Sequence, residues 1–173
     1  REVDAQGRQL LFVGGGSNIL ASDEPFDGVV LRDARSKIVL TQEGGCEGAN
    51  LRVLGGTDWD ELVVHTIENE WMGLEALSGI PGTVGAAPVQ NIGAYGQEVA
   101  SSVARVRVWD HQKNRSHEFA LSDLKFGYRT SILKESLNEG WGPSPRYIVL
   151  YVDFQLRIAS LSAPVQYAQL AKT

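Results

Sequence analysis

The sequence is poor in the features that mark several broad classes of protein. It has one cysteine, Cys46, among 173 residues, so no disulfide can close within the chain. That cysteine is expected to be a small buried or turn residue. No apolar run approaches the ~18 residues a membrane helix needs, and no secretory h-region opens the chain. The expected location is therefore the cytoplasm, without membrane insertion. Positive charge is scarce: Lys and Arg total 16 against 21 Asp and Glu, a formal net charge of −5. Duplex binding needs a basic face, so nucleic acid is not an expected partner, although a local cluster can still hold a small anion. His65, His111 and His117 have no second ligand at metal spacing. No metal is expected, and all three are read as structural or solvated. There is no nucleophile-elbow or Cys–His signature, and no repeat, low-complexity tract or Pro-rich linker. The sequon at Asn114-Arg115-Ser116 is set aside because nothing else points to secretion.

What is present is an ordinary globular composition, 43% hydrophobic and 21% charged, enough for one domain or two small ones. Gln9 to Val13 is a short apolar run that breaks at Gly14-Gly15-Gly16, as a buried strand entering a tight loop does. Runs at 29–31, 38–40 and 51–54 predict further strands, with a turn over Glu43–Asn50. Residues 28 to 56 thus read as an antiparallel meander. Thr57 and Asp60 resemble a capping box. Trp59, Leu62, Val63, Thr66, Ile67 and Trp71 then recur at helical spacing, and Gly73 falls where a C′ glycine belongs. Trp59 and Trp71 are read as packing residues rather than cofactor stackers. Val103 to Trp109 predicts a strand with Arg105 and Arg107 on its wet face, followed by a hairpin tip at Asp110–Arg115. Tyr147 to Arg157 predicts a long strand with Ile148, Leu150, Val152, Phe154 and Leu156 on one face. The pattern is β-rich and lacks the regular βαβ alternation of a doubly wound sheet.

Three stretches could carry chemistry. Gly14 to Asn18 can form a nest of backbone amides, with Ser17 and Asn18 adding donors, which suits a phosphate or pyrophosphate. It can equally be a plain tight turn, and it lacks the Lys-Ser/Thr of a P-loop. IPGTVGAAPVQNIGAYG, residues 80–96, holds no charged side chain. Ile80-Pro81-Gly82 sets a turn, and Gln90 and Asn91 offer donors and acceptors. The stretch is either a wall for a flat heteroaromatic cofactor and its diphosphate or a long irregular loop with structural glycines, and loops of this length are uncommon unless functional. FGYRTSILK, residues 126–134, offers Tyr128 and Arg129 as a grip on a carboxylate. An arginine beside a tyrosine is also a common surface ion-pair partner.

Taken together, LFVGGGSN (11–18), GLEALSGIPGTVGAAPVQNIGAYGQE (73–98) and FGYRTSILK (126–134) resemble the UDP-N-acetylenolpyruvoylglucosamine reductases, flavoenzymes of peptidoglycan precursor synthesis. The resemblance covers nearly the whole sequence. It implies an α+β FAD-binding fold of the vanillyl-alcohol-oxidase (PCMH-type) class, two subdomains with mixed and antiparallel sheets. It implies a partial N-terminal FAD-binding subdomain over 1–34, a second over 35–160, and the start of a link to a substrate-binding domain over 161–173. It implies non-covalent FAD held by Gly14, Gly15, Gly16, Ser17 and Asn18 at the pyrophosphate. Ile80, Pro81, Gly82, Gly85, Val89, Asn91, Ile92 and Gly93 would lie along the rest of the cofactor. NADPH would be the hydride donor and a UDP-sugar the substrate, held by Tyr128, Tyr167 and Lys134, with Arg129 as the catalytic cation. The family's protonating serine and glutamate come from a further C-terminal domain. The sequence opens on Arg1 and stops at Thr173, so a flavin-binding core, a fragment, is the expectation. Another FAD oxidoreductase of the same fold, or a non-catalytic nucleotide-binding module, remain as rival readings.

Overall fold

A computed structural model describes residues 6–44, 48–139 and 145–159. Gln9–Val13 (β1) and Gly28–Arg32 (β2) form a two-stranded parallel sheet, Gln9 opposite Gly28 and Val13 opposite Arg32. This corrects the expected meander over 28–56. A parallel pair needs a long crossover, and residues 14–27 supply it, so β2 turns back to β1. The antiparallel hairpin begins only at Ile38–Gly44 (β3), which pairs with Gly48–Leu54 (β4). Strand propensity locates β-type runs but does not name their partners.

The main sheet continues through Trp71–Met72 (β5), Val103–Asp110 (β8), Arg115–Ala120 (β9) and Tyr147–Ile158 (β10), with a small hairpin, Gly93–Ala94 (β6) and Gln97–Glu98 (β7), standing apart. It has six strands, in the order β3-β4-β10-β8-β9, with β5 paired to the far end of β10. Every pairing within it is antiparallel. In β4 the alternation is regular, Ala49, Leu51 and Val53 going inward. In β10 a register shift between Val149 and Tyr151 interrupts it. Tyr147, Ile148 and Val149 are consequently all buried and Leu150 only half-buried, so the single apolar face expected for this strand holds from Val152 onward. A bulge of this kind rotates the side chains that precede it.

One ten-residue helix, Trp59–Glu68 (α1), covers the inner face with Trp59, Leu62, Val63 and Thr66. The Trp59 and Phe154 rings lie 6.3 Å apart, and the Trp59 indole N–H donates to the Leu77 carbonyl at 2.9 Å. Both expected helix ends are displaced. Asp58, not Thr57, is the N-cap, its Oδ1 accepting from Asp60 N at 2.9 Å and Glu61 N at 3.1 Å. Thr57 is fully buried and accepts from the Lys37 amide instead. At the other end the chain leaves the helix at Asn69, and Glu70 takes the left-handed conformation, φ +57°. Gly73 therefore caps nothing. Ile67 faces outward, and Trp71 joins the core from β5.

The opposite face of the sheet is wet and paired. Arg52 forks onto Asp153 at 2.8 and 2.9 Å and lies 4.2 Å from the Tyr151 ring centroid. Between short 3-10 turns at 75–77 and 99–101 runs the long irregular stretch that carries the second glycine-rich motif. It is pinned to the start of α1 and the end of β4: Trp59 N donates to Gly82 O, Val84 N to Thr57 O, and Gly85 N to Gly55 O. A four-residue helix, Ile132–Glu135 (α2), capped by Ser131, follows the third motif.

Candidate functional site

The three motifs meet around one cavity of about 400 Å³. Gly14, Ser17 and Asn18 come from the turn after β1, and Ile80, Pro81, Gly85, Val89 and Ile92 from the second loop. Arg129 and Lys134 come from the third motif. Gln90, offered by the sequence as a donor and acceptor, is there too, and residues that the sequence reading did not assign to the site add to the wall: Leu11 and Phe12 of β1, Asp33, Gly55, Trp59, Thr83, and Tyr147 and Val149 of β10. Trp59 belongs both to the core and to this wall, so its reading as a packing residue covers half of its position. Gly15, Gly16, Gly82, Asn91, Gly93 and Tyr128 stand back from the cavity. Tyr167 lies outside the described residues.

Two of these glycines meet a need set by the fold itself. A Cβ on Gly15 would sit 3.1 Å from the Gly82 Cα, and one on Gly85 would sit 2.9 Å from the Gly55 carbonyl oxygen. At these positions backbone meets backbone, and side chains are excluded by the protein itself. The first turn is thus built onto the second. Ser17 Oγ ties them by donating to the Pro81 carbonyl at 3.3 Å, which commits its proton within the fold. Among the described residues, the amides of Gly15, Gly16, Ser17 and Asn18 have no backbone partner, and the turn is exposed.

The charged groups are arranged with one sign free. Asp33 is gripped by Arg35, whose Nε and Nη2 donate to its two oxygens at 2.9 and 2.7 Å. The Arg35 hydrogen bond holds the Asp33 carboxyl below its usual value against the opposing push of burial. Arg129 and Lys134, by contrast, hydrogen-bond only to carbonyls among the described residues: Arg129 Nη2 meets Gly93 O at 2.8 Å, and Lys134 Nζ meets Arg129 O at 2.9 Å. Arg129 is exposed and sits at the tip of a two-residue turn closed by Gly127 and Thr130. Its φ of +55° is a left-handed backbone unusual for a side chain of this size. Tyr128, 86% exposed, shares the tip. Among the described residues the arrangement offers an apolar slot, a turn whose amides have no backbone partner, and two cations without carboxylate partners.

Residues 1–114 match the model of the FAD binding domain family. The chain belongs to that family. Over 172 residues it is 45% identical to a UDP-N-acetylenolpyruvoylglucosamine reductase of Cutibacterium acnes, covering 99% of this chain and 44% of that protein. The solved structure of the corresponding reductase from Thermus caldophilus matches with a TM-score of 0.64 at 27% identity, over 91% of this chain and 52% of that one. A solvent-stable cholesterol oxidase matches with a TM-score of 0.59 at 15% identity, over 90% of this chain and 31% of that one, a likeness of fold alone. The resemblance read from the three motifs and the PCMH-type fold class are both borne out. The chain spans less than half the length of that curated relative. No helix among the described residues is long and apolar enough to cross a membrane.

Proposed function

We propose that this chain is the flavin-binding part of an FAD-dependent reductase acting on UDP-N-acetylenolpyruvoylglucosamine in cytoplasmic cell-wall precursor synthesis, with NADPH as the electron source. The observation that carries the reading is the convergence of all three motifs on one cavity. Its volume falls within the range of roughly 300–1,000 Å³ typical of small-molecule and cofactor clefts. The residues present suit FAD. The exposed turn Gly14–Asn18 offers unpaired backbone amides for a diphosphate, and Leu11, Trp59, Ile80, Val89 and Ile92 offer apolar walls for a ring system. A Cβ on Gly14 would enter the space beside Thr83 and Ala86. When bound, FAD would relay hydride between the nicotinamide and the enolpyruvyl double bond.

The chain's own contribution is orientation and charge. Hydride arriving at one carbon of an enolpyruvyl ether drives negative charge toward the adjoining carboxylate. A cation fixed in advance at that end lowers the barrier more than it tightens substrate binding. Arg129 cannot lose its proton and presents a planar fork to a carboxylate. Lys134 lies beside it and would add to the same field, while Tyr128 would hold the sugar nucleotide at the rim.

The test separates the two half-reactions in the holoenzyme. In Arg129→Ala, flavin reduction by NADPH is expected to stay within about twofold, while reoxidation by the enolpyruvyl sugar falls by about a hundredfold or more, as when one preorganised donor is removed. Equal losses in both half-reactions, or none, would overturn the role of Arg129 and with it the proposed substrate.

A further inference from the structure

The second loop contains one side chain that does no work at the cavity yet is held more completely than any neighbour. Asn91 is 1% exposed. Its Nδ2 donates to Glu98 Oε2 at 2.8 Å and to the Gly127 carbonyl at 3.0 Å, and its Oδ1 accepts from the Ala100 amide at 3.1 Å. Two acceptors face one end of the amide and a donor faces the other, so the partners fix its orientation. Both of its protons are committed, which leaves no donor for a cofactor.

Its partner Gly127 opens the turn that bears Arg129. Gly127 N and Thr130 N each donate to the other residue's carbonyl, at 3.1 and 3.2 Å, leaving Tyr128 and Arg129 at the tip. Three residues of the second loop at spacing two hold this turn. Val89 O accepts from Ser131 Oγ, Asn91 Nδ2 reaches Gly127 O, and Gly93 O accepts from Arg129 Nη2. Of these three, only Asn91 contributes its own side chain. The residue type follows from the site. The position needs two donors and an acceptor on a short side chain, at φ +44°, and Asn is among the few residues that tolerate that backbone. Aspartate there would set a carboxylate against that of Glu98 and against the Gly127 carbonyl.

We infer that Asn91 is a positioning residue for Arg129: through the Gly127 carbonyl it fixes the turn that presents the guanidinium to the cavity. The inference rests on the role proposed for Arg129 and adds the device that holds it. It also joins the wall of the cofactor cavity to the substrate-side cation, so that the two are set in one register.

The test uses the holoenzyme with Asn91→Ala, Asn91→Asp, Arg129→Ala and the double variant Asn91→Ala/Arg129→Ala. FAD affinity is read by titration, and the two half-reactions by rapid mixing. Asn91→Ala is expected to keep FAD affinity and flavin reduction within about twofold and to slow reoxidation by about tenfold to a hundredfold, the cost of a small misplacement of a catalytic group. The double variant is expected to be no slower than Arg129→Ala alone, because residues acting as a unit are not additive. Asn91→Asp keeps the shape and supplies a second route to the answer. Its reoxidation rate is expected to rise as pH is lowered, since a protonated carboxyl can again donate to Gly127 O, with no such rise in the parent enzyme. Additive losses in the double variant overturn the inference, as do a flat pH profile in Asn91→Asp or a fall in FAD affinity matching the fall in rate. A slow Arg129→Ala beside a normal Asn91→Ala overturns the inference alone. A normal Arg129→Ala overturns the functional reading and this inference together.

Discussion

Gly15 and Gly82 meet backbone to backbone: a Cβ on Gly15 would lie 3.1 Å from the Gly82 Cα. These two residues belong to the two bare turns of the sequence, and their contact is what makes the turns one structure. A methyl group at position 15 must push them apart. Gly15→Ala is expected to lower stability by about 1–3 kcal/mol, as overpacking does, and to weaken FAD binding because the cavity lies between the same turns. Gly16→Ala is the control. It meets nothing within 4 Å but sits at φ +81°, so it should cost about 1–2 kcal/mol of backbone strain. Thermal melts with and without FAD read both effects. The account expects the FAD-dependent rise in Tm to shrink more in Gly15→Ala than in Gly16→Ala.

Trp59 joins core and cavity. Its indole N–H is bonded to the Leu77 carbonyl within a residue that is 1% exposed. Trp59→Phe keeps most of the apolar surface and removes one of the two donors to that carbonyl, which still accepts from Ile80 N at 3.4 Å; the loss should be about 0.5–1.5 kcal/mol. Denaturant unfolding measures it. The same variant tests the cavity wall: quenching of tryptophan fluorescence by FAD should be weaker in Trp59→Phe than in the parent protein.

Asp110 and Arg146 form the most buried ion pair among the described residues, with Nη2 and Oδ2 3.2 Å apart. Burial pushes the Asp110 carboxyl up. The Arg146 hydrogen bond and the Lys113 and Gln112 amides outweigh that push, so the folded-state value lies below the usual one. A depressed carboxyl stabilises the fold above the unfolded value of about 3.9 and loses that contribution as pH falls through the folded value. The protein should therefore hold this contribution through neutral pH and lose it only in strong acid. Arg146→Gln removes the charged lowering partner and leaves burial opposed only by the Lys113 and Gln112 amides. Its acid unfolding should begin at higher pH than the parent's, with a loss of about 3–5 kcal/mol at neutral pH, the usual cost of breaking a buried pair. A pH series of urea melts reports both.

Asp58 carries the cap expected of Thr57. Asp58→Ala should destabilise the fold by about 1 kcal/mol, the ordinary value of an N-cap side chain. Thr57→Val acts by a different route, by taking away the side-chain acceptor for the Lys37 amide.

How far the sequence carried the structure follows from which forces are local. The period of α1 and the alternation in β4 and β8 are set by neighbours in the chain, and they were readable. The partner of β2 was not, because Val29 to Leu31 carry the same β-type pattern whether the strand pairs forward with β3 or back with β1. The helix ends were missed by one residue at Asp58 and by more at Glu70, because two adjacent cap-capable residues compete and a left-handed glutamate gives no signal. The site was legible as three motifs but not as a wall. Tyr147 and Val149 reach it through the bulge in β10, and Asp33 through its turn with Arg35, features with no periodic signature. The reason for Gly15 and Gly85 was also hidden: a glycine facing a ligand and one facing Gly55 or Gly82 look alike in one dimension.

The most direct test is to titrate the folded, flavin-free chain with FAD while following flavin absorbance at about 450 nm, a property of the oxidised cofactor, together with tryptophan fluorescence. The account predicts saturable uptake of one FAD per chain, a rise in Tm, and weaker binding in Gly15→Ala. A folded protein that takes up no FAD, or one that binds it equally well when the contact between Gly15 and Gly82 is disrupted, would contradict it.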